Sequence, residues 1–166
     1  LGHKWEKDEN SVWKQTEKVD DSRTPDILFI ERCLDLLKPG GRMAIVLPDG
    51  ILGNDGLEYV RQYIIENSDI VAVIDCPVES FLPSTDTKTS LLILKKKKNK
   101  DLPQTFDSFM AIAKKCGHDR RGNEIYKRDN NGIILTDEND KAIIDNDFEE
   151  ITRRLVEHVD SKNIYN

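Results

Sequence analysis

Cysteine, histidine and long apolar runs are all scarce in this chain of 166 residues, and each scarcity excludes something. The three cysteines, Cys33, Cys76 and Cys116, are odd in number and far apart, with no Cys-x-x-Cys pair, and no histidines stand at metal spacing. A disulfide framework and a metal site are therefore not expected, and free, buried thiols are. No apolar run approaches the roughly 20 residues that span a bilayer. The amino end has no charged-then-apolar leader, so no membrane association is expected and a soluble, cytoplasmic protein is. Basic residues are outnumbered, with 25 Lys and Arg against 31 Asp and Glu and a net charge of -6, so a continuous basic face that coats nucleic acid is not expected either. Any such contact must be local or shared with another subunit. The chain opens on Leu1 rather than Met, which fits an excised piece of a longer protein.

What is present is enough for one ordinary domain or a large fragment of one, with 37% hydrophobic residues. Residues 1–23 are polar and read as a loop or loosely docked arm, with Trp5 and Trp13 as its anchors or as a ligand or DNA contact. Thr24-Pro25-Asp26 opens a helix: Thr24 is placed to cap, Pro25 loses nothing at the first position, and Asp26 suits the positive helix end. Ile27, Ile30, Leu34 and Leu37 recur at helical spacing, widened by Phe29, Cys33 and Leu36. Lys38-Pro39-Gly40-Gly41 stops the helix. Met43-Ala44-Ile45-Val46-Leu47 then predicts a strand covered on both faces. A second helical stripe, Leu57, Val60, Ile64 and Ile65, precedes the strand Ile70-Val71-Ala72-Val73-Ile74. This alternation indicates an α/β sheet with helices on its faces. Leu91-Leu92-Ile93-Leu94 comes too soon, and across too irregular a loop with Pro83, for a helical crossover, so an antiparallel neighbour is expected. Beyond Asp101, residues 109–113 suggest another strand, and residues 124–128 and 133–136 a hairpin about Asn130-Asn131-Gly132. Phe148, Ile151, Leu155, Val156 and Val159 make a terminal helix, and no repeats appear.

The segment Phe29-Ile30-Glu31-Arg32-Cys33-Leu34-Asp35-Leu36-Leu37-Lys38-Pro39-Gly40-Gly41, running on through Met43-Ala44-Ile45-Val46-Leu47-Pro48, resembles the amino-type DNA methyltransferases. The similarity is greatest to the modification subunit of type I restriction systems. Specificity comes from the combination with Asp49-Gly50-Ile51-Leu52, Asp75-Cys76-Pro77 and Phe81-Leu82-Pro83-Ser84-Thr85-Asp86-Thr87-Lys88-Thr89-Ser90, all within residues 24–98. Gly117-His118-Asp119-Arg120-Arg121-Gly122 also resembles the segment that comes next in that family. The resemblance implies a partial Rossmann-like, class I S-adenosylmethionine-dependent methyltransferase sheet with an antiparallel late strand. It further implies transfer of a methyl group to the amino nitrogen of an adenine that has left the duplex stack. On this reading residues 24–100 are the carboxyl-terminal half of the methyltransferase domain and residues 101–166 a family-specific extension.

The family's Asn/Asp-Pro-Pro-Tyr/Phe tetrapeptide and glycine-rich cofactor loop do not occur in this sequence, so no catalytic residue is assigned and the chain alone is expected to be inactive. Two family positions carry over. Phe81 matches the aromatic that stacks on the flipped base, with core packing as the alternative. Phe29 matches an aromatic near the cofactor's adenine ring, again with core packing as the alternative. Thr87, Lys88 and Thr89 share the Phe81 loop and are candidate phosphate donors or merely solvated. Lys95-Lys96-Lys97-Lys98 with Lys100 reads as a charged end guarding a sheet edge or as a DNA backbone contact. Asp49 and Asp75 come directly after strands, and His118-Asp119-Arg120-Arg121 resembles a polar turn. The resemblance implies S-adenosylmethionine, double-stranded DNA, and specificity and restriction subunits as partners. The rival readings are a non-catalytic scaffold that retains the sheet, and a methyltransferase acting on RNA or protein.

Overall fold

The computed structural model describes residues 1–100, 103 and 107–164; Asp101, where the extension is expected to begin, lies outside the described residues. The chain divides into two compact units, Leu1–Ala72 with Leu92–Ser108 and Val73–Leu91 with Phe109–Asn166.

In the first unit, the expected amino-terminal loop is instead a two-stranded antiparallel hairpin, β1 (His3–Lys7) and β2 (Trp13–Val19). The tryptophans explain the order. Trp5 stacks on Tyr59 with ring centroids 5.8 Å apart and meets Tyr63 edge-on at 6.4 Å, and Trp13 meets Tyr59 at 5.6 Å. Aromatic contacts of this kind add to plain burial, and they turn a polar segment into a docked element.

Helix α1 (Pro25–Leu36) starts where the sequence predicts, but the Thr24 hydroxyl makes no capping bond. Ile27, Ile30 and Leu34 are buried, while Phe29 and Leu36 are 61% and 72% exposed. The buried stripe is thus narrower than the apolar pattern, and Phe29 lies outside it. Gly40, at φ +77°, turns the chain after the helix, as expected. Lys96 then donates through Nζ to the carbonyls of Leu34 at 2.7 Å and Leu37 at 2.8 Å, serving the negative end of α1.

Strand β3 (Arg42–Pro48) leads through the short α2 (Asp49–Gly53) into α3 (Glu58–Asn67), which buries Tyr59, Val60 and Ile64. Strands β4 (Ser68–Asp75), β5 (Thr89–Lys96) and β6 (Phe109–Ile112) complete a four-stranded sheet in the order β3-β5-β4-β6. At its carboxyl end β5 donates from Lys96 to Gly41 at 2.7 Å, and the next residue, Lys97, donates to Asn67 at 3.0 Å, beside the starts of β3 and β4. At its own start Thr89 accepts from Cys76, past the end of β4. Thus β5 is antiparallel to both neighbours, as its short, proline-containing approach predicts. Beside β4, Ser108 Oγ donates to Ile70 and Ala113 N–H to Asp75, so β6 runs parallel to it. The sheet is mixed and the fold class is α/β.

Two expectations fail. The sequence predicts that β3 is covered on both faces, yet its burial alternates: Arg42, Ala44 and Val46, on one face, are exposed, while Met43, Ile45 and Leu47, on the other, are not. The lysines at the end of β5 read as guarding an edge, yet β5 lies inside the sheet and Lys96 serves a helix end.

In the second unit, Ile74, Ala113 and Ile151 form a core against which Leu91, Phe109 and Phe148 pack. Helix α4 (Phe148–Ser161) presents Ile151 and Val159 to the interior. Between β6 and α4 the chain folds through isolated antiparallel bridges, among them Arg128 with Ile134 about the expected turn and Tyr126 with Ile144 beyond it. One local geometry recurs there and in the β1–β2 loop. Asp8, Asp119, Asp129 and Asp137 each accept, through Oδ1, the N–H groups two and four residues ahead. The residue three ahead has positive φ in all four: Ser11, Gly122, Gly132 and Asp140. The aspartate is common to all four turns, and three of them also carry an asparagine two residues on: Asn10, Asn131 and Asn139.

Candidate functional site

The candidate site lies in the second unit, at the carboxyl end of β4. Asp75-Cys76-Pro77 leave the strand, a single 3-10 turn spans Val78–Phe81, and the loop returns at Thr89. Phe81 sits at the end of that turn, its carbonyl accepting the N–H groups of Ser84 and Thr85, so its backbone is held while the residue is 40% exposed. The turn delivers a fixed aromatic face to solvent beside a strand end.

The other residues of the loop take different places. Lys88 reaches back to the Asp75 carboxylate and the Cys76 carbonyl, tying the loop to the end of β4. Its ammonium is therefore already ion-paired, and Asp75 is its partner. Thr87 is exposed and shares a hydrogen bond with the Thr85 hydroxyl at 2.9 Å. Thr89 is buried, and its hydroxyl, like that of Ser80, is withdrawn from water without a hydrogen-bond partner among the described residues. Phe29 belongs to the first unit, and its side chain on α1 is exposed.

The sequence does not flag a neighbouring feature. A cavity of about 410 Å³ is lined by Glu79, two residues before Phe81, and by Lys114, Lys115, His118, Arg120 and Asp145, among others. The Asp147 carboxylate accepts the backbone N–H groups of Lys114 and Lys115 at 2.7 and 3.0 Å, which fixes one wall. Asp145 pairs with Lys115 at 2.9 Å and pushes that ammonium's pKa up. The Asp119 carboxyl is held below the usual range, first by the Asn123 side-chain amide and then by the backbone N–H groups of Asn123 and Arg121. The turn that Asp119 organises lies against the Phe81 loop: a Cβ on Gly122 would stand 3.6 Å from Pro83 Cδ. A signal that could have found it is the run of basic residues Lys114, Lys115 and Arg120 around Gly117-His118-Asp119.

Among the described residues no group of three or more His, Cys, Asp or Glu is placed to hold a metal ion, and no helix is long and apolar enough to cross a membrane. Cys76 is buried, while Cys33 and Cys116 are half-buried, and none of the three is in a disulfide among the described residues.

Residues 2–162 match the family described as N-6 DNA Methylase. The type I restriction enzyme MpnII methylase subunit of Mycoplasma pneumoniae is 37% identical over 82 residues, covering 49% of this chain and 15% of that protein. The type I restriction enzyme EcoEI methylase subunit of Escherichia coli is 31% identical over 70 residues, covering 42% of this chain and 14% of that protein. The chain thus corresponds to a small part of the length of these relatives. Among solved structures, a class I S-adenosylmethionine-dependent methyltransferase of Listeria monocytogenes aligns with a TM-score of 0.48 at 26% identity, over 58% of this chain and 30% of that one.

Proposed function

This chain belongs to the N-6 DNA methylase family, and from that premise we propose that it is the part of an adenine-N6 DNA methyltransferase that walls the target-base pocket. The setting is a bacterial type I restriction–modification system, in the cytoplasm, with specificity and restriction subunits as partners. The observation that carries this reading is Phe81: a ring held by its backbone, open to solvent, at the end of a strand. An adenine extruded from the duplex gains a stacking partner there, a contact worth roughly 1–3 kcal/mol per base. Lys88 contributes by pinning the Phe81 loop to Asp75, so the ring is positioned before the base arrives. Thr87, at the exposed side of the same loop, is placed to donate to a backbone phosphate, which positions the duplex without reading its sequence. Phe29 would pack against the adenine of S-adenosylmethionine, which when bound would supply an electrophilic methyl group. The residues that grip the target amino group are not among those of this chain, so the isolated chain does not transfer methyl groups; methylation of duplex DNA by it would overturn that part of the reading.

The test is Phe81→Ala in the complete protein, read with 2-aminopurine at the target position. Loss of Phe81 weakens binding of extruded-base DNA by roughly tenfold or more while the melting temperature stays close to that of the parent. An unchanged affinity sinks the stacking role.

A further inference from the structure

We propose that the cavity lined by Glu79, Lys114, His118 and Arg120 holds one nucleotide of the DNA next to the extruded adenine, with Lys114 and Arg120 on its phosphate. This rests on the reading of Phe81 as the stacking residue. The cavity and Phe81 share a short turn, since Glu79 is on its wall and Phe81 ends it. Its volume, about 410 Å³, lies in the range of cavities that take small ligands. The cavity also carries three carboxylates, Glu79, Asp119 and Asp145, against Lys114, Lys115 and Arg120, so it is no simple anion sink. The charges are nevertheless not equivalent. Asp145 is committed to Lys115, and Asp119 to the N–H groups of its own turn. Among the described residues Lys114 and Arg120 belong to none of the ion pairs, whereas Lys115 does, and Glu79, two residues before Phe81, adds a carboxylate acceptor to the same lining. Two such cations and an acceptor in one cavity match a nucleotide, which brings a phosphate and a base edge with N–H donors. Both cations project from fixed backbone, one clamped by Asp147 and one within the Asp119 turn, so little ordering remains for binding to complete.

The experiment measures binding of the complete protein to a duplex carrying 2-aminopurine opposite an abasic site, across a range of salt concentrations. Lys114→Gln with Arg120→Gln makes the slope of log affinity against log salt shallower by about 0.9, the value for one phosphate. Binding at physiological salt weakens roughly tenfold, and Arg120→Lys retains the parent slope. If the double variant fails to fold, Lys114→Gln alone decides by the same slope. A parent slope in the variants, with Phe81→Ala still weakening the 2-aminopurine signal, overturns this inference and leaves the stacking role standing. A parent protein that neither binds the duplex nor changes its fluorescence overturns both.

Discussion

The strand-and-helix body around residues 25–96 and the bridged segment between β6 and α4 are ordered by different forces. In the first, Ile30, Leu34, Val60, Ile64 and Leu94 are at most 2% exposed, and burial of apolar surface supplies the stability. In the second, Ile125, Ile133, Ile134 and Leu135 are exposed, every position from 130 to 141 is solvent-facing, and the segment is held by backbone bridges and aspartate-capped turns. Two ways of building order thus coexist in one chain. The buried body tolerates little change in volume. The bridged segment is indifferent to volume and sensitive to turn geometry, which suits a surface that presents polar groups to a ligand.

The contrast is tested most forcefully in the core. Leu94 is fully buried in β5, and Leu94→Ala should cost about 2–5 kcal/mol in a thermal or urea melt. If it costs less than a turn substitution, the division is wrong. Next comes Gly117, where the two styles meet: at φ +90°, an added Cβ would stand 2.5 Å from Ile144 Cγ2. Gly117→Ala should destabilise the segment by about 1–3 kcal/mol, seen as faster amide exchange at Ile125 and Asp145 while exchange in β5 is unchanged. Smaller still is Asp129→Ala, which removes the acceptor of the Asn131 and Ile133 N–H groups. By analogy with helix caps the expected loss is about 1 kcal/mol, confined to that turn, and Asp129→Asn should recover most of it.

A last test is a pH dependence within the buried body. Burial, reinforced by Glu31 and Asp35, pushes the Tyr63 phenol up from 10.0 to about 12. The folded chain therefore keeps this proton where the unfolded chain has begun to lose it, so stability falls as pH rises from about 10 through 12. Tyr63→Phe should flatten that part of the profile, measured as urea midpoint against pH. An unchanged profile would show that the phenol is solvated.

Much of this was legible in the residues. The Pro25 start, the Gly40 turn, the strand at Val71 and Ala72 and the antiparallel return at Leu92 and Leu94 follow from local sterics and from the period of apolar residues, which act over a few neighbours. The Phe81 loop was likewise marked by its place between two strands. Trp5 and Trp13 are the anchors that their size and setting suggest, but their hairpin was not legible, because the pairing depends on Tyr59 and Tyr63, some fifty residues away. Phe29 looked like part of a stripe because apolar spacing does not say which side of a helix finds a partner.

Sequence alone determined the family, the order of helices and strands from Pro25 onward, and the loop that carries Phe81, since these rest on contiguous residues and their intrinsic geometry. Only tertiary structure decided that β3 is an edge, that Lys96 serves the end of α1, that Lys88 is committed to Asp75, and that Glu79 shares a cavity with Lys114 and Arg120. Each of these is a contact between segments far apart in the chain, and such contacts are chosen by the competition of whole surfaces for burial and for partners, which no local pattern records.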